Sequence, residues 1–229
     1  MNICVYCSSS DQVCDEFKQQ ATEFGKWMAK SGHTLVYGGA TGGLMSAVAE
    51  GAAEAEGDIV GIIPECIVEK GRKSDLPTEL FVVGDMAERK TMLKEYADVF
   101  VVFPGGFGTL DEMFDTISSC MVGEHDKLTI LFNPDSFWTG LLLRFDKVLK
   151  AGLGYKFTRN GNLRVVDALE ASADSLFKRY CKAIKQHQAD VNLILVYKQL
   201  QYAADFYREE QKILKDILMD YENWLFDGN

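Results

Sequence analysis

No apolar run in this 229-residue sequence approaches the roughly 18 residues that a membrane-spanning helix needs, so no membrane partner is expected. Histidine is scarce. His33, His125 and His187 lie far apart in no ligand spacing, and no metal site is expected. An excess of positive charge is also missing: the formal net charge is −10, whereas binding to a nucleic-acid backbone needs a concentrated basic surface. With only four prolines and no low-complexity tract or internal repeat, there is no sign of an extended linker. The strand-like opening from Asn2 to Cys7 leaves no room for a basic leader and a cleavage site, which predicts a cytoplasmic protein. The six cysteines, at 4, 7, 14, 66, 120 and 181, are then expected to be buried thiols and not disulfides. Cys4 and Cys7 have the spacing of a chelating pair, but in a strand residues three apart point to opposite faces.

What the sequence does contain is an alternation of short apolar runs with amphipathic segments, and it is centred on residues 98–112, DVFVVFPGGFGTLDE. The run 99–103 has strand length and no polar interruption, as in a buried parallel strand, and Pro104-Gly105-Gly106 turns the chain sharply after it. Glycines at 105, 106 and 108 are free to adopt positive φ and leave the backbone N–H groups open to a phosphate oxygen. Thr109 is expected to open a helix. Two readings of Glu112 follow. Thr109 and Glu112 have capping-box spacing, and a glutamate at a strand-to-helix turn also borders the crevice where open α/β sheets bind ligands. One side chain can serve both ends.

Other strands are expected at 3–7, 34–37, 59–63, 80–83, 127–132 and 163–166. Helices are expected from the 8–11 turn to about 30, then over 44–54, 85–97, 109–121, from 136 to about 150, and over 172–186. This pattern predicts an α/β fold: a single doubly wound, Rossmann-like parallel sheet of six or seven strands with helices on both faces. It would fill a catalytic domain over 1–188. From 190 to 226 there is no Gly or Pro, and Leu193, Val196, Leu200, Ala204 and Tyr207 recur at helical spacing, which predicts an amphipathic helical extension over 189–229. Serines 8–10 are read either as the cap of the first helix or as hydroxyls at the carboxyl end of a strand. The second glycine-rich turn, GGATGG at 38–43, does not match G-x-G-x-x-G, so no dinucleotide fingerprint stands at either usual place. The stretch 65–77 has no clear period and is expected to be a mobile surface loop that could cover a site, with its charges read by default as solvated. Arg89 and Lys90, adjacent on a helix, are by default exposed.

Three segments taken together, YGGATGGLM (37–45), MAERKTM (86–92) and PGGFGTLDE (104–112), resemble the LOG (Lonely Guy) family, also labelled lysine decarboxylase-like. The resemblance covers about residues 1–185. It implies a phosphoribohydrolase that cleaves the N-glycosidic bond of AMP or an N6-modified AMP, the cytokinin nucleotides, to free base and ribose 5-phosphate, without a cofactor. It further implies that Arg89 and Glu112 are the catalytic pair and that Lys90, Gly105, Gly106, Phe107, Gly108 and Thr109 hold the nucleotide. Ser9, Gly42 and Gly43 would line the same cleft. At least a homodimer is implied, with subunits completing each other's sites. Two positions depart from the family pattern: Ala87, where many relatives have His, and Ser8, where many have Gly.

The residue types suit that chemistry, because breaking a ribosyl C–N bond builds positive charge on the sugar and a carboxylate beside it stabilises that charge and orients water. Competing classes are an amino-acid decarboxylase and a non-catalytic nucleotide or cofactor carrier on the same fold. The first needs a Schiff-base lysine for pyridoxal phosphate, and no lysine here is marked for it. The second shares fold and phosphate loop, and retention of both Arg89 and Glu112 weighs against it.

Overall fold

The apolar runs become the strands of one sheet in a computed structural model that describes residues 1–153 and 163–166. The strands β1 (Asn2–Tyr6), β2 (Thr34–Tyr37), β3 (Ile59–Pro64), β4 (Glu79–Val83), β5 (Val99–Val102) and β6 (Leu128–Phe132) lie in the order β4-β3-β2-β1-β5-β6. All five pairings are parallel, with Ile3 opposite Leu35 on one side and Val99 on the other. Strands covered on both faces need no alternation of polar and apolar residues, and β3 and β5 are buried along their whole length.

Parallel strands need crossovers, which are supplied by α1 (Asp15–Lys30), α2 (Gly43–Glu54), the short α3 (Glu65–Val68), α4 (Met86–Tyr96) and α5 (Phe107–Val122). From β1 the chain moves outward through β2, β3 and β4, then crosses back to β5 on the other side of β1. Right-handed crossovers therefore put α1 and α2 on one face and α4 and α5 on the other. This reversal creates a topological switch point between β1 and β5, the place at which open α/β sheets bind their ligands. Beneath it, Phe103 joins the two sides of the core, with its ring 5.4 Å from Phe24 and 4.8 Å from Phe132.

The chain divides into two compact units, Met1–Phe132 and Asn133–Asn229. The described part of the second contains a 3₁₀ turn (Pro134–Ser136), α6 (Thr139–Lys150) and β7 (Leu163–Val166). Asn133 Oδ1 accepts a bond from Trp138 N at 2.5 Å and so closes the turn that the Asn-Pro pair predicts. The expected helix over 172–186, the 188/189 boundary, the helical extension and Cys181 lie outside the described residues.

Four expectations need correction. Serines 8–10 do not cap α1, which begins at Asp15 after Cys14; the hydroxyls of Ser8 and Ser10 instead accept from the amides of Ser10 and Gln12, folding the loop on itself. Segment 65–77 is not a free loop: it opens with α3, then pairs Lys73 with Ala40 in an antiparallel bridge. Cys4 and Cys7 are buried, but Cys14 and Cys66 are exposed, because each sits at a helix start that faces solvent. The fourth is the start of α5, which lies at Phe107 and not at Thr109.

Candidate active site

Three loops meet at the carboxyl ends of β2, β1 and β5. Ser8 N donates to Pro104 O at 3.2 Å, tying the loop after β1 to the loop after β5. On its other side, Ser8 O accepts from Leu44 N (2.9 Å) and Met45 N (3.2 Å), tying it to the start of α2. Gly42 and Gly43 both have positive φ, 103° and 50°, and a Cβ on Gly43 would lie 2.4 Å from Ser10 O. Only glycine allows this turn and this approach together. Gly43 N donates to Asp11 Oδ1 at 2.9 Å, and a Cβ on Gly42 would meet Ser9 O at 2.6 Å. Ser9, Gly42 and Gly43 are thus neighbours.

Arg89 and Glu112 also come together. Asp85 caps α4 by accepting from Ala87 N and Glu88 N, which fixes the helix so that Arg89, one turn in, points under the sheet's carboxyl edge. Its Nε donates to Ile62 O at 3.2 Å, and Nη2 pairs with Glu112 Oε1 at 2.8 Å. Arg89 is 7% exposed and Glu112 3%, so the default expectation of an exposed cation fails at Arg89 because a partner awaits it inside. Burial raises the Glu112 carboxyl above the usual glutamate range, and the Arg89 charge pulls the other way without cancelling it. Glu112 in turn helps to push up Cys7, whose rise comes first from burial.

The capping-box reading of Thr109 and Glu112 does not hold. Helix α5 begins at Phe107, two residues earlier than expected, with Gly106 at the cap position and no side chain capping it. Glu112 is therefore in the second turn and turned inward. Positive φ is not used at 105, 106 or 108 either. Gly105 is needed for space, since a Cβ would fall 2.1 Å from Thr109 Oγ1, whereas Gly106 and Gly108 face open ground. The first bond of the helix ladder is Leu110 N to Gly106 O at 3.0 Å, so the amides of Phe107, Gly108 and Thr109 have no acceptor within the helix. Such an end favours an anion. Phe107 itself projects outward, 91% exposed. Lys90 turns away from Arg89 to the flank of α5, pairing with Asp111 at 3.0 Å and Asp115 at 3.7 Å; the bond to Asp111 is the main cause of its raised pKa.

Two residues escaped the sequence reading. Gly38 makes room for the Arg89 guanidinium, since a Cβ there would sit 2.0 Å from Nη2. Its presence in the glycine run was the only hint. Arg72, read as a solvated charge, donates from Nη2 to Ser9 O at 2.9 Å and Thr41 O at 2.7 Å, and no local pattern announces this.

The fold and the site define an open α/β protein with a buried Arg–Glu pair at the carboxyl end of its sheet, beside a glycine-rich helix start. The chain belongs to the LOG family, whose model carries the description "Possible lysine decarboxylase" and matches residues 45–176. It is 35% identical over 150 residues to the cytokinin riboside 5′-monophosphate phosphoribohydrolase LOG5 of Arabidopsis thaliana, covering 66% of each chain. To the probable cytokinin riboside 5′-monophosphate phosphoribohydrolase LOG4 of Oryza sativa subsp. japonica it is 34% identical over 158 residues, 69% of each. Among solved structures, the molybdenum cofactor binding protein of Rippkaea orientalis superposes with a TM-score of 0.58 at 22% identity, over 78% of this chain and 96% of that one. The molybdenum cofactor carrier protein of Chlamydomonas reinhardtii gives 0.57 at 22%, over 77% and 96%. At that identity the likeness is one of fold. No described helix is long and apolar enough to cross a membrane.

Proposed function

We propose that this protein is a cytoplasmic nucleoside 5′-monophosphate phosphoribohydrolase that hydrolyses the N-glycosidic bond of AMP or an N6-substituted AMP. Family membership and the names of its relatives support the reaction class. The observation that carries the reading to this chain is the buried Arg89–Glu112 pair at the switch point. A carrier needs no inward carboxylate, whereas glycosidic hydrolysis does.

In this reading the 5′-phosphate rests on the free amides of 107–109 at the start of α5, and Ser9, Gly42 and Gly43 line the opposite wall. Lys90 stands on the flank of α5, where a bound nucleotide would compete for it with Asp111 and Asp115. As the C1′–N9 bond breaks, its electron pair leaves with the base and positive charge grows on the ribose, facing the Glu112 carboxylate. Water adds to C1′ and loses a proton, which Glu112 accepts and which then passes to the departing base anion; the products are free base and ribose 5-phosphate, and the carboxylate is regenerated. Arg89 holds Glu112 in place through Nη2 and keeps it ionised enough to act as a base. The experiment is a panel of nucleoside 5′-monophosphates assayed for base release, with Glu112→Gln in parallel. Wild type releases adenine from AMP; the variant binds AMP but does not turn it over, and hydrolysis at wild-type rate in the variant removes Glu112 from the role.

We further propose a homodimer or a higher homo-oligomer. Phe107, Phe114 and Met121 recur every seven residues on α5 and, with Val122, are exposed, an apolar stripe of the kind that a second subunit covers.

A further inference from the structure

Segment 72–74 lies along the loop after β2: Thr41 N donates to Arg72 O at 2.8 Å, Thr41 Oγ1 to the same oxygen at 3.3 Å, and Ser74 N to Gly39 O at 2.9 Å. The Arg72 side chain then reaches past that contact. From one nitrogen, Nη2, it donates both to Thr41 O (2.7 Å), in the loop after β2, and to Ser9 O (2.9 Å), in the loop after β1. These are the loops that carry Gly42, with a φ of 103°, and Ser9. Gly42 is packed into the joint: a Cβ there would lie 2.6 Å from Ser9 O and 2.8 Å from Arg72 Nη2. A half-buried guanidinium bound to two carbonyls is a stronger tie than a neutral bond, and here it joins loops from three different strands.

We propose that Arg72 is a positioning residue of the nucleotide cleft, which holds the loops after β1 and β2 in their ligand-facing arrangement and so governs how tightly the nucleotide binds while leaving the chemical step untouched. The inference rests on the hydrolase reading for its substrate. Glu112 and Arg89 are held from other elements, α5 and α4, with a separate anchor at Ile62 O, so loosening the Ser9–Thr41 joint leaves the reacting pair in place. Because the backbone bonds of 72–74 do not involve the side chain, loss of the guanidinium leaves the segment docked.

The test compares Arg72→Met, Arg72→Lys and, as a control on a surface ion pair of the same segment, Lys73→Met. Arg72→Met raises KM for AMP about tenfold or more, the scale of two charge-assisted hydrogen bonds, with kcat within about twofold. Arg72→Lys recovers most of that loss, since one ammonium nitrogen has the protons to serve both carbonyls, and Lys73→Met behaves as wild type. Hydrogen exchange adds a readout without turnover: amides in 8–13 and 39–45 exchange faster in Arg72→Met, while those of β5 and α5 do not change. An unchanged KM, a fall in kcat that matches or exceeds the rise in KM, or unchanged exchange in both loops overturns the inference. Should wild type release no base from any nucleotide, it is the hydrolase reading that fails, and exchange alone then decides the role of Arg72.

Discussion

Arg89 Nη2 and Glu112 Oε1 are 2.8 Å apart, with side chains 8% and 3% exposed, so α4 and α5 meet through a charge pair almost wholly withdrawn from bulk solvent. Desolvating two ions costs several kcal/mol each, which a single contact in the interior only partly offsets, so the pair is a poor device for stability alone. It is better explained by what the carboxylate does. Glu112→Gln is expected to lower kcat by about 10² to 10⁴ while AMP still binds in calorimetry, as loss of a positioned general base would. Equal losses of turnover and AMP affinity would instead make Glu112 a binding residue.

The pH dependence follows from the direction of the Glu112 shift. Burial lifts its pKa above the ordinary 4.5, and Arg89 is the largest opposing influence. A carboxyl with a raised folded pKa holds its proton more tightly folded than unfolded. Its contribution to stability is thus complete below the unfolded value and is lost as pH rises through the folded one. For activity the ionised form is needed, so kcat/KM is expected to fall, on acidification, at a pH above 4.5. Arg89→Met removes the opposing charge and moves the Glu112 titration to still higher pH, as read by carboxyl ¹³C NMR; a shift downward would contradict the assigned pairing.

Glycines of the site are predicted to differ by what surrounds them. Gly38→Ala puts a methyl 2.0 Å from Arg89 Nη2 and must displace the guanidinium. The expected result is a loss of about 1–3 kcal/mol in chemical denaturation, as for other overpacked sites, and about a 10²-fold fall in kcat. Gly106→Ala, at a φ of −97° with nothing within 4 Å of the new Cβ, should stay within about 0.5 kcal/mol of wild type. Equal destabilisation of the two variants would show that backbone freedom, not space, is what the glycines provide.

The strands were legible because a doubly covered parallel sheet leaves its mark as unbroken apolar runs: 34–37 is a strand as read, the run 99–103 is a strand over 99–102, and the alternation with helices fixed the class. Helix starts were less so. Thr109 and Glu112 satisfy the capping-box spacing, yet α5 starts at Phe107 with no side chain capping it, which carries Glu112 into the second turn. Arg89 was legible as a site residue only through the family resemblance; its local sequence gives an ordinary exposed helix position, and the reason for its burial, Glu112, stands 23 residues later. Arg72 could not be read at all, since its partners are carbonyl oxygens, which every residue has.

The stripe on α5 yields the last prediction. Met121 and Val122 are 40% and 77% exposed at the far end of the helix from Glu112, so changing them leaves the reacting pair alone. Met121→Arg with Val122→Arg places two cations where the helix dipole favours them, so the helix itself should not weaken. At an interface between two copies of the chain, however, four extra positive charges would face one another across a small apolar area, a repulsion that desolvation makes larger. The wild-type protein is therefore expected to sediment as a dimer or larger at micromolar concentration, and the double variant as a smaller species with an unchanged circular-dichroism spectrum. If subunits complete each other's clefts, base release falls with the dimer fraction and returns on raising the protein concentration. A wild type that sediments as a monomer, or a double variant that assembles as wild type does, would show that this face of α5 is not the contact.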